Sequence, residues 1–212
     1  VFCEPLHYRQ GFERASAFLS GLGLSIHAIC GAELRIERPL TLAGFARLNH
    51  DYVACLDSWG LRIGDESPIT RTNIAVERAL PDQPLLYAFS YVHPQASSSP
   101  SFLSAGTGEL DELGSIIAQS DHSAEGIGLK VGFVIDTLVQ TLANLKISAN
   151  TITHTHTYTR LPIAVASLND ILSSTLGNPS YGTRWFFERP PVEGVEFEMD
   201  MRRIVGERWL EP

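Results

Sequence analysis

The sequence predicts an α+β protein made of two similar units in tandem, each a mixed β-sheet packed on two helices, and three observations predict it. The chain has 212 residues, 44% of them hydrophobic and 19% charged, with mean hydropathy +0.02. That supports a real core, rules out disorder as the overall description, and suits one large domain or two small ones. Helical and strand periodicities recur in the same order on both sides of a connector, His93-Pro94-Gln95-Ala96-Ser97-Ser98-Ser99-Pro100, whose prolines and serines are loop composition. The halves also echo by residue: Leu24-Ser25 against Ile147-Ser148, Leu48-Asn49 against Leu168-Asn169, and Ile69-Thr70-Arg71 against Gly182-Thr183-Arg184. Repetition of this kind marks a duplicated unit, so the expected division is 1–92, a linker over 93–100, and 101–212.

In the first half, Phe12, Ala15, Phe18, Leu19 and Leu22 fall at helical spacing from Gly11 to Leu22, with Gly21 and Gly23 as the stop. Ile26 to Ile36 reads as a strand. Phe45, Leu48, Tyr52, Leu56 and Trp59 place a helix from about Leu40 to Trp59, closed by Gly60. Arg71 to Val76 and Leu85 to Val92 are strands around a turn containing Pro81. The second half repeats the order. Ser101 to Ala105 is a strand, Lys130 to Leu145 a helix, Thr151 to Arg160 a strand, and Ile163 to Leu176 a helix. Thr183 to Phe187 and Val195 to Ile204 are the closing strands.

Charge narrows the partners. Sixteen Lys+Arg against twenty-four Asp+Glu leave −8, a poor footprint for gripping nucleic acid. Apart from Lys130 and Lys146 the basic residues are all Arg, whose planar fork suits a carboxylate, so a small anionic metabolite is the expected partner. No apolar run is expected to reach the roughly 20 residues of a membrane span, and no leader pattern opens the chain at Val1. Cys3, Cys30 and Cys55 are odd in number and lack C-x-x-C spacing. They point to a reducing, cytoplasmic setting rather than to zinc or disulfides.

The second half resembles the RidA/YjgF family of enamine and imine deaminases, proteins also described as endoribonuclease L-PSP-like. The parts that carry the resemblance are Ser101-Phe102-Leu103-Ser104-Ala105-Gly106, the helix to Leu145, the strand Thr151 to Arg160, and Ser167-Leu168-Asn169-Asp170. Most diagnostic are Gly182-Thr183-Arg184 and, after a Pro-containing turn, Val195-Glu196-Phe197-Glu198-Met199. The resemblance implies a chorismate-mutase-like α+β fold, a homo-oligomer with a trimer favoured, and no cofactor. It also implies hydrolytic deamination of a carboxylate-bearing enamine or imine. Arg184 maps to the family's carboxylate-binding Arg, Glu198 to its water-handling Glu, Gly106 to its glycine beside the ligand, and Asn169 to its helix asparagine. Two departures stand out. Phe186 replaces the cysteine many members carry two residues after the Arg. In the first half Arg71 and Asn49 survive, but the acid aligns with Tyr87 and the opening hairpin is absent, so that copy is truncated or degenerate. A chorismatase-like enzyme and a non-catalytic binding or assembly protein are the alternatives; an RNase is disfavoured by the charge.

Chemically, strand alternation puts Glu196, Glu198 and Asp200 on one face and Val195, Phe197, Met199 and Met201 on the other. That carboxylate face is either solvated or, with Arg184 on the adjacent strand, part of a pocket. Arg184 is either a bidentate clamp on an α-carboxylate or an ion-pair partner of Glu196 or Glu198. A partly buried Glu198 suits general-base work on water. Trp185 is a candidate pocket wall, and Arg71 a second grip. In Thr151 to Arg160 the threonines take one face and Ile152, His154, His156, Tyr158 and Arg160 the other. His154 and His156 lack a well-spaced third metal ligand, which favours a polar network inside an oligomer or domain interface, with a contribution to a ligand pocket as the alternative.

Overall fold

A computed structural model describes residues 1–78, 81–94, 101–163, 165–177 and 179–211. They form two compact units, Val1–Pro100 with Pro191–Glu193 and Val205–Pro212, and Ser101–Pro190 with Gly194–Ile204. Residues 95–100 of the expected linker lie outside the described residues. Placing all of 101–212 in the second unit needs correction, because the chain's end returns to the first. Phe2 bridges Leu210 in parallel, and the Cys3 N–H donates to the Leu210 carbonyl at 2.9 Å. A single backbone bridge leaves no periodicity in the sequence.

The first unit contains β1 (Leu6–His7), α1 (Tyr8–Gly21), β2 (Ile29–Ile36), α2 (Leu42–Ser58), β3 (Thr70–Ala75) and β4 (Leu85–Tyr91). Its sheet runs β1-β4-β2-β3, with β2 and β3 parallel and the other pairs antiparallel. The pairing Leu6↔Leu86 and His7↔Leu85 supplies an opening strand that the sequence reading lacked. Two residues are too few for a period-2 signal. The helical stripe Phe12, Ala15 and Leu19 meets Leu34, Leu56 and Leu86 in the core. α1 ends in a Schellman motif, with Gly23 at φ +73°, its N–H donating to Ser20 and that of Leu24 donating to Leu19.

The second unit contains β5 (Phe102–Leu103), β6 (Thr107–Gly108), α3 (Ala124–Asn144), β7 (His154–Thr159), α4 (Val165–Leu176), β8 (Thr183–Phe186) and β9 (Phe197–Arg203). Its sheet runs β5-β9-β7-β8, with β6 also on β9; β7 and β8 are parallel and the rest antiparallel. The expected strand starts at Ile26 and Thr151 are instead single 3₁₀ turns, Ile26–Ala28 and Ala149–Thr151. α3 also begins six residues before the expected Lys130, where the Ser123 hydroxyl caps it by accepting the Gly126 N–H at 3.1 Å. So lengthened, α3 is apolar and long enough to cross a membrane by length and composition. Here Val131, Val134, Ile135, Leu138 and Leu142 are the core against Phe197, Met199 and Met201. Two sheets with four α-helices among the described residues make a mixed α+β protein that fits a RidA-like fold.

Candidate active site

The two faces of the second sheet follow from its register. Thr155, Thr157 and Thr159 pair with Met201, Met199 and Phe197, which pack with α3. The alternate residues therefore face away from the helices: His156 pairs with Asp200 and Arg184, and Tyr158 with Glu198 and Phe186. This face is buried, with Glu198 at 5%, Asp200 at 0% and Arg202 at 6% exposure, which corrects the solvated reading.

Its charges are paired. Arg202 donates from Nε and Nη2 to the two Asp200 oxygens at 2.8 and 2.7 Å, a fork-on-carboxylate contact. The Tyr158 hydroxyl donates to Asp200 Oδ2 at 3.1 Å, and His156 Nδ1 lies 3.2 Å from the same hydroxyl. With that hydroxyl hydrogen committed to Asp200, the imidazole Nδ1 is the donor to the tyrosine oxygen. The Tyr158 ring stacks on Phe186 at 5.0 Å. The His156–Tyr158 face of the decamer thus joins a buried polar network with Asp200 within the second sheet.

Glu196 does not join this face. Its carboxylate meets the Lys130 ammonium at 3.1 Å and His122 Nε2 at 2.7 Å, so the three-carboxylate surface reduces to Glu198 and Asp200. Just before β9 the chain is held by Glu109, fully buried, which accepts the Glu196 and Phe197 N–H groups at 2.6 and 2.9 Å. Burial pushes the Glu109 carboxyl above its usual range despite those bonds.

Of the expected site residues, Arg184 and Glu198 share this face, with Arg184 exposed. Gly106 lies between β5 and β6, beside β9 where Leu103 pairs with Arg202 and Thr107 with Met199. Trp185 and Asn169 are elsewhere. Trp185 pairs with Thr157 on the helix side of the sheet and, with Asn169, Leu172 and Thr183, lines an open cleft of about 260 Å³. Adjacent strand residues point to opposite faces, so Trp185 cannot wall a pocket around its neighbour Arg184.

Arg71 also departs from expectation. It pairs with Ala32, a core residue, and therefore faces α2. There its Nη2 donates to Asn49 Oδ1 at 2.5 Å, and the guanidinium carbon stands 4.8 Å from the Tyr52 ring centroid and 5.8 Å from that of Phe45. An arginine and a helix asparagine thus meet in the first unit, while Arg184 and Asn169 are parted by their sheet. The echo Thr70-Arg71 against Thr183-Arg184 conceals a change of face, the consequence of a one-residue difference in register. The other face of the first sheet carries Arg35, 3.5 Å from Glu33 and 4.1 Å from the Tyr87 ring centroid. Arg35 thus links Tyr87 to a carboxylate that β2, rather than β4, supplies. Sequence reasoning also missed Tyr52 and Asn73 as companions of Arg71. Their spacings, Asn49-x-x-Tyr52 on a helix and Arg71-x-Asn73 on a strand, were the available signal.

The family described as 2-aminomuconate deaminase CnbZ matches residues 1–208. A 2-amino-5-chloromuconate deaminase from Comamonas testosteroni is 32% identical over 219 aligned positions, covering 99% of this chain and 85% of that protein. Among solved structures, a chorismatase aligns with TM-score 0.58 at 10% identity over 92% of this chain and 69% of its own, a likeness of fold alone. A Rid-family protein of unknown function from Yersinia pestis aligns over 57% of this chain and 86% of its own, with TM-score 0.40 and 13% identity. On the match over nearly its full length and the identity to a curated deaminase, the chain is a RidA/YjgF-like protein belonging to the 2-aminomuconate deaminase CnbZ family.

Proposed function

We propose that this protein hydrolyses the C–N bond of a 2-amino-dienedioate, a dicarboxylate enamine of the 2-aminomuconate type. The family match and the curated relative support the reaction class. Protonation of an enamine carbon away from nitrogen yields the C=N tautomer, and water adds at the carbon of that C=N bond. The C–N bond then breaks as a proton passes to nitrogen, so one water is consumed and one ammonia leaves with a 2-oxo dicarboxylate.

The observation that carries the residue assignment is that Arg184 and Glu198 lie on one face of one sheet, joined through β7, with Glu198 almost fully buried. Arg184 grips a substrate carboxylate through its planar fork. Glu198 holds the attacking water and takes its proton, the work of a carboxylate in a dry site. The two units are read as copies of one ancestral fold. The correspondence of β4-β2-β3 with β9-β7-β8, each with one parallel pair, supports this.

The test is turnover of enzymatically generated 2-aminomuconate, followed by loss of dienamine absorbance and by ammonia release. Arg184→Ala is expected to raise KM by about 10- to 100-fold, the value of a charge-assisted contact. Glu198→Gln is expected to lower kcat by about 10²- to 10⁴-fold. Unchanged kcat in the folded Glu198→Gln protein would overturn the assignment.

A further inference from the structure

Glu109 has no part in the chemistry proposed above, yet it is fully buried and both of its carboxylate oxygens are committed to backbone. It follows directly on β6, in which Gly108 pairs with Glu198. Its Oε1 accepts the Glu196 N–H at 2.6 Å and its Oε2 the Phe197 N–H at 2.9 Å. In an extended strand successive N–H groups point to opposite sides, so one carboxylate cannot collect two in a row. Their convergence means that the chain turns at Glu196 and Phe197 into the concave N–H arrangement that holds anions. The Glu196 carbonyl is likewise taken by a side chain, the Thr159 hydroxyl at 2.7 Å. The ladder between β7 and β9 starts one residue later, with Phe197 opposite Thr159.

This turn decides where two carboxylates go. Strand alternation alone would set Glu196 beside Glu198 and Asp200, on the face that carries Arg184. Instead the Glu196 carboxylate lies against α3, 3.1 Å from the Lys130 ammonium and 2.7 Å from His122 Nε2. Lys130 is itself fixed, its ammonium donating to the Ala118 carbonyl at 2.7 Å. A buried ammonium is costly unless it is paired, and the turn delivers Glu196 to it. Asp200, which does stay on the face, is matched by Arg202. A second glutamate there would put a like charge beside Glu198 and hinder its ionisation.

We infer that Glu109 is a positioning residue for Glu198: by gathering the N–H groups at the head of β9 it turns Glu196 to Lys130 and keeps that charge away from Glu198. Glu109 acts through the backbone and touches no reacting atom. The functional half of this inference rests on the reading of Glu198 as the carboxylate that handles water; the backbone half does not.

The experiment compares Glu109→Gln with the wild type in the full chain. The amide is nearly isosteric, but its oxygen accepts one N–H while its NH2 group opposes the other. By NMR, the amide protons of Glu196 and Phe197 are expected to titrate together in the wild type, above the ordinary carboxyl range because burial lifts Glu109. That shared titration vanishes in Glu109→Gln. With 2-aminomuconate, Glu109→Gln is expected to lower kcat about tenfold near neutral pH and to leave KM within about twofold. The acid limb of its kcat profile should rise by about one pH unit, because Glu196 now joins Glu198 among Asp200, Arg202, His156, Tyr158 and Arg184. Adding Glu196→Gln should return the limb to its wild-type position. Loss of stability alone moves no limb and allows no such reversal. Glu196→Gln by itself should keep the wild-type limb; a shifted limb there would overturn the inference, as would separate titrations of the two amides or an unmoved limb in Glu109→Gln. Full kcat in Glu198→Gln would remove the reading of Glu198 and the functional half with it, whereas the amide titration needs no turnover and tests the turn by itself.

Discussion

Replacing Arg202 by Met tests whether the buried network organises the second sheet. Arg202 and Asp200 have side-chain exposures of 7% and 0% and meet through bonds of 2.8 and 2.7 Å. Each charge-assisted bond is worth about 1.5–3 kcal/mol, and removing one member of a buried pair costs about 3–5 kcal/mol because the other charge is stranded. In Arg202→Met the Asp200 carboxylate keeps the Tyr158 hydroxyl at 3.1 Å, which points to the lower end, about 3 kcal/mol. That is a large share of a typical 5–15 kcal/mol stability. The assay is urea unfolding followed by circular dichroism, with Arg202→Met/Asp200→Asn measured alongside. The asparagine still accepts from Tyr158 but carries no charge, so the double variant should regain at least about 1 kcal/mol over the single. A loss below about 1 kcal/mol in Arg202→Met, or no recovery in the double variant, would refute the view that a stranded charge dominates.

Three further outcomes follow from local geometry. A Cβ at Gly11 would stand 2.6 Å from Leu86 Cβ, whereas at Gly132 it would meet nothing within 4 Å. In thermal melts Gly11→Ala should therefore destabilise by about 1–3 kcal/mol, and Gly132→Ala, mid-helix in α3, should stabilise by about 0.5–1 kcal/mol. α3 ends like α1 but with Lys146 at φ +56° in place of a glycine; Lys146→Gly should raise stability by about 1 kcal/mol. Burial holds the Glu109 carboxyl above its ordinary 4.5, so between that value and its folded value the native state keeps a proton the unfolded chain has shed. Stability from this group therefore falls as pH rises through that window. The stability of the wild type relative to Glu109→Gln, measured by urea titration at several pH values, should decline from low pH upward; a rising difference would contradict the burial argument.

The chain itself determined where the longer helices and strands lie, though not all their ends, because periods of 3.6 and 2 are written in residues such as Phe12, Ala15 and Leu19, and the alternating Thr and His of β7. It also marked the left-handed stops at Gly23 and Gly60, where turn chemistry is local. The sharing of one strand face by Glu198 and Asp200 was legible for the same reason. Register was not. Whether Arg71 and Arg184 face the helices depends on which residue of a distant strand each one meets, Ala32 or His156, and a one-residue difference turns every side chain over. Only the tertiary structure could therefore part Arg184 from Asn169, join Arg71 to Asn49, and divert Glu196 to Lys130. The buried groups tell the same story: Lys130, Glu109 and Asp200 look like surface residues by composition and lie at 0% exposure. Burial of a charge is decided by partners far along the chain, and those partners exist as neighbours only once the sheets have formed.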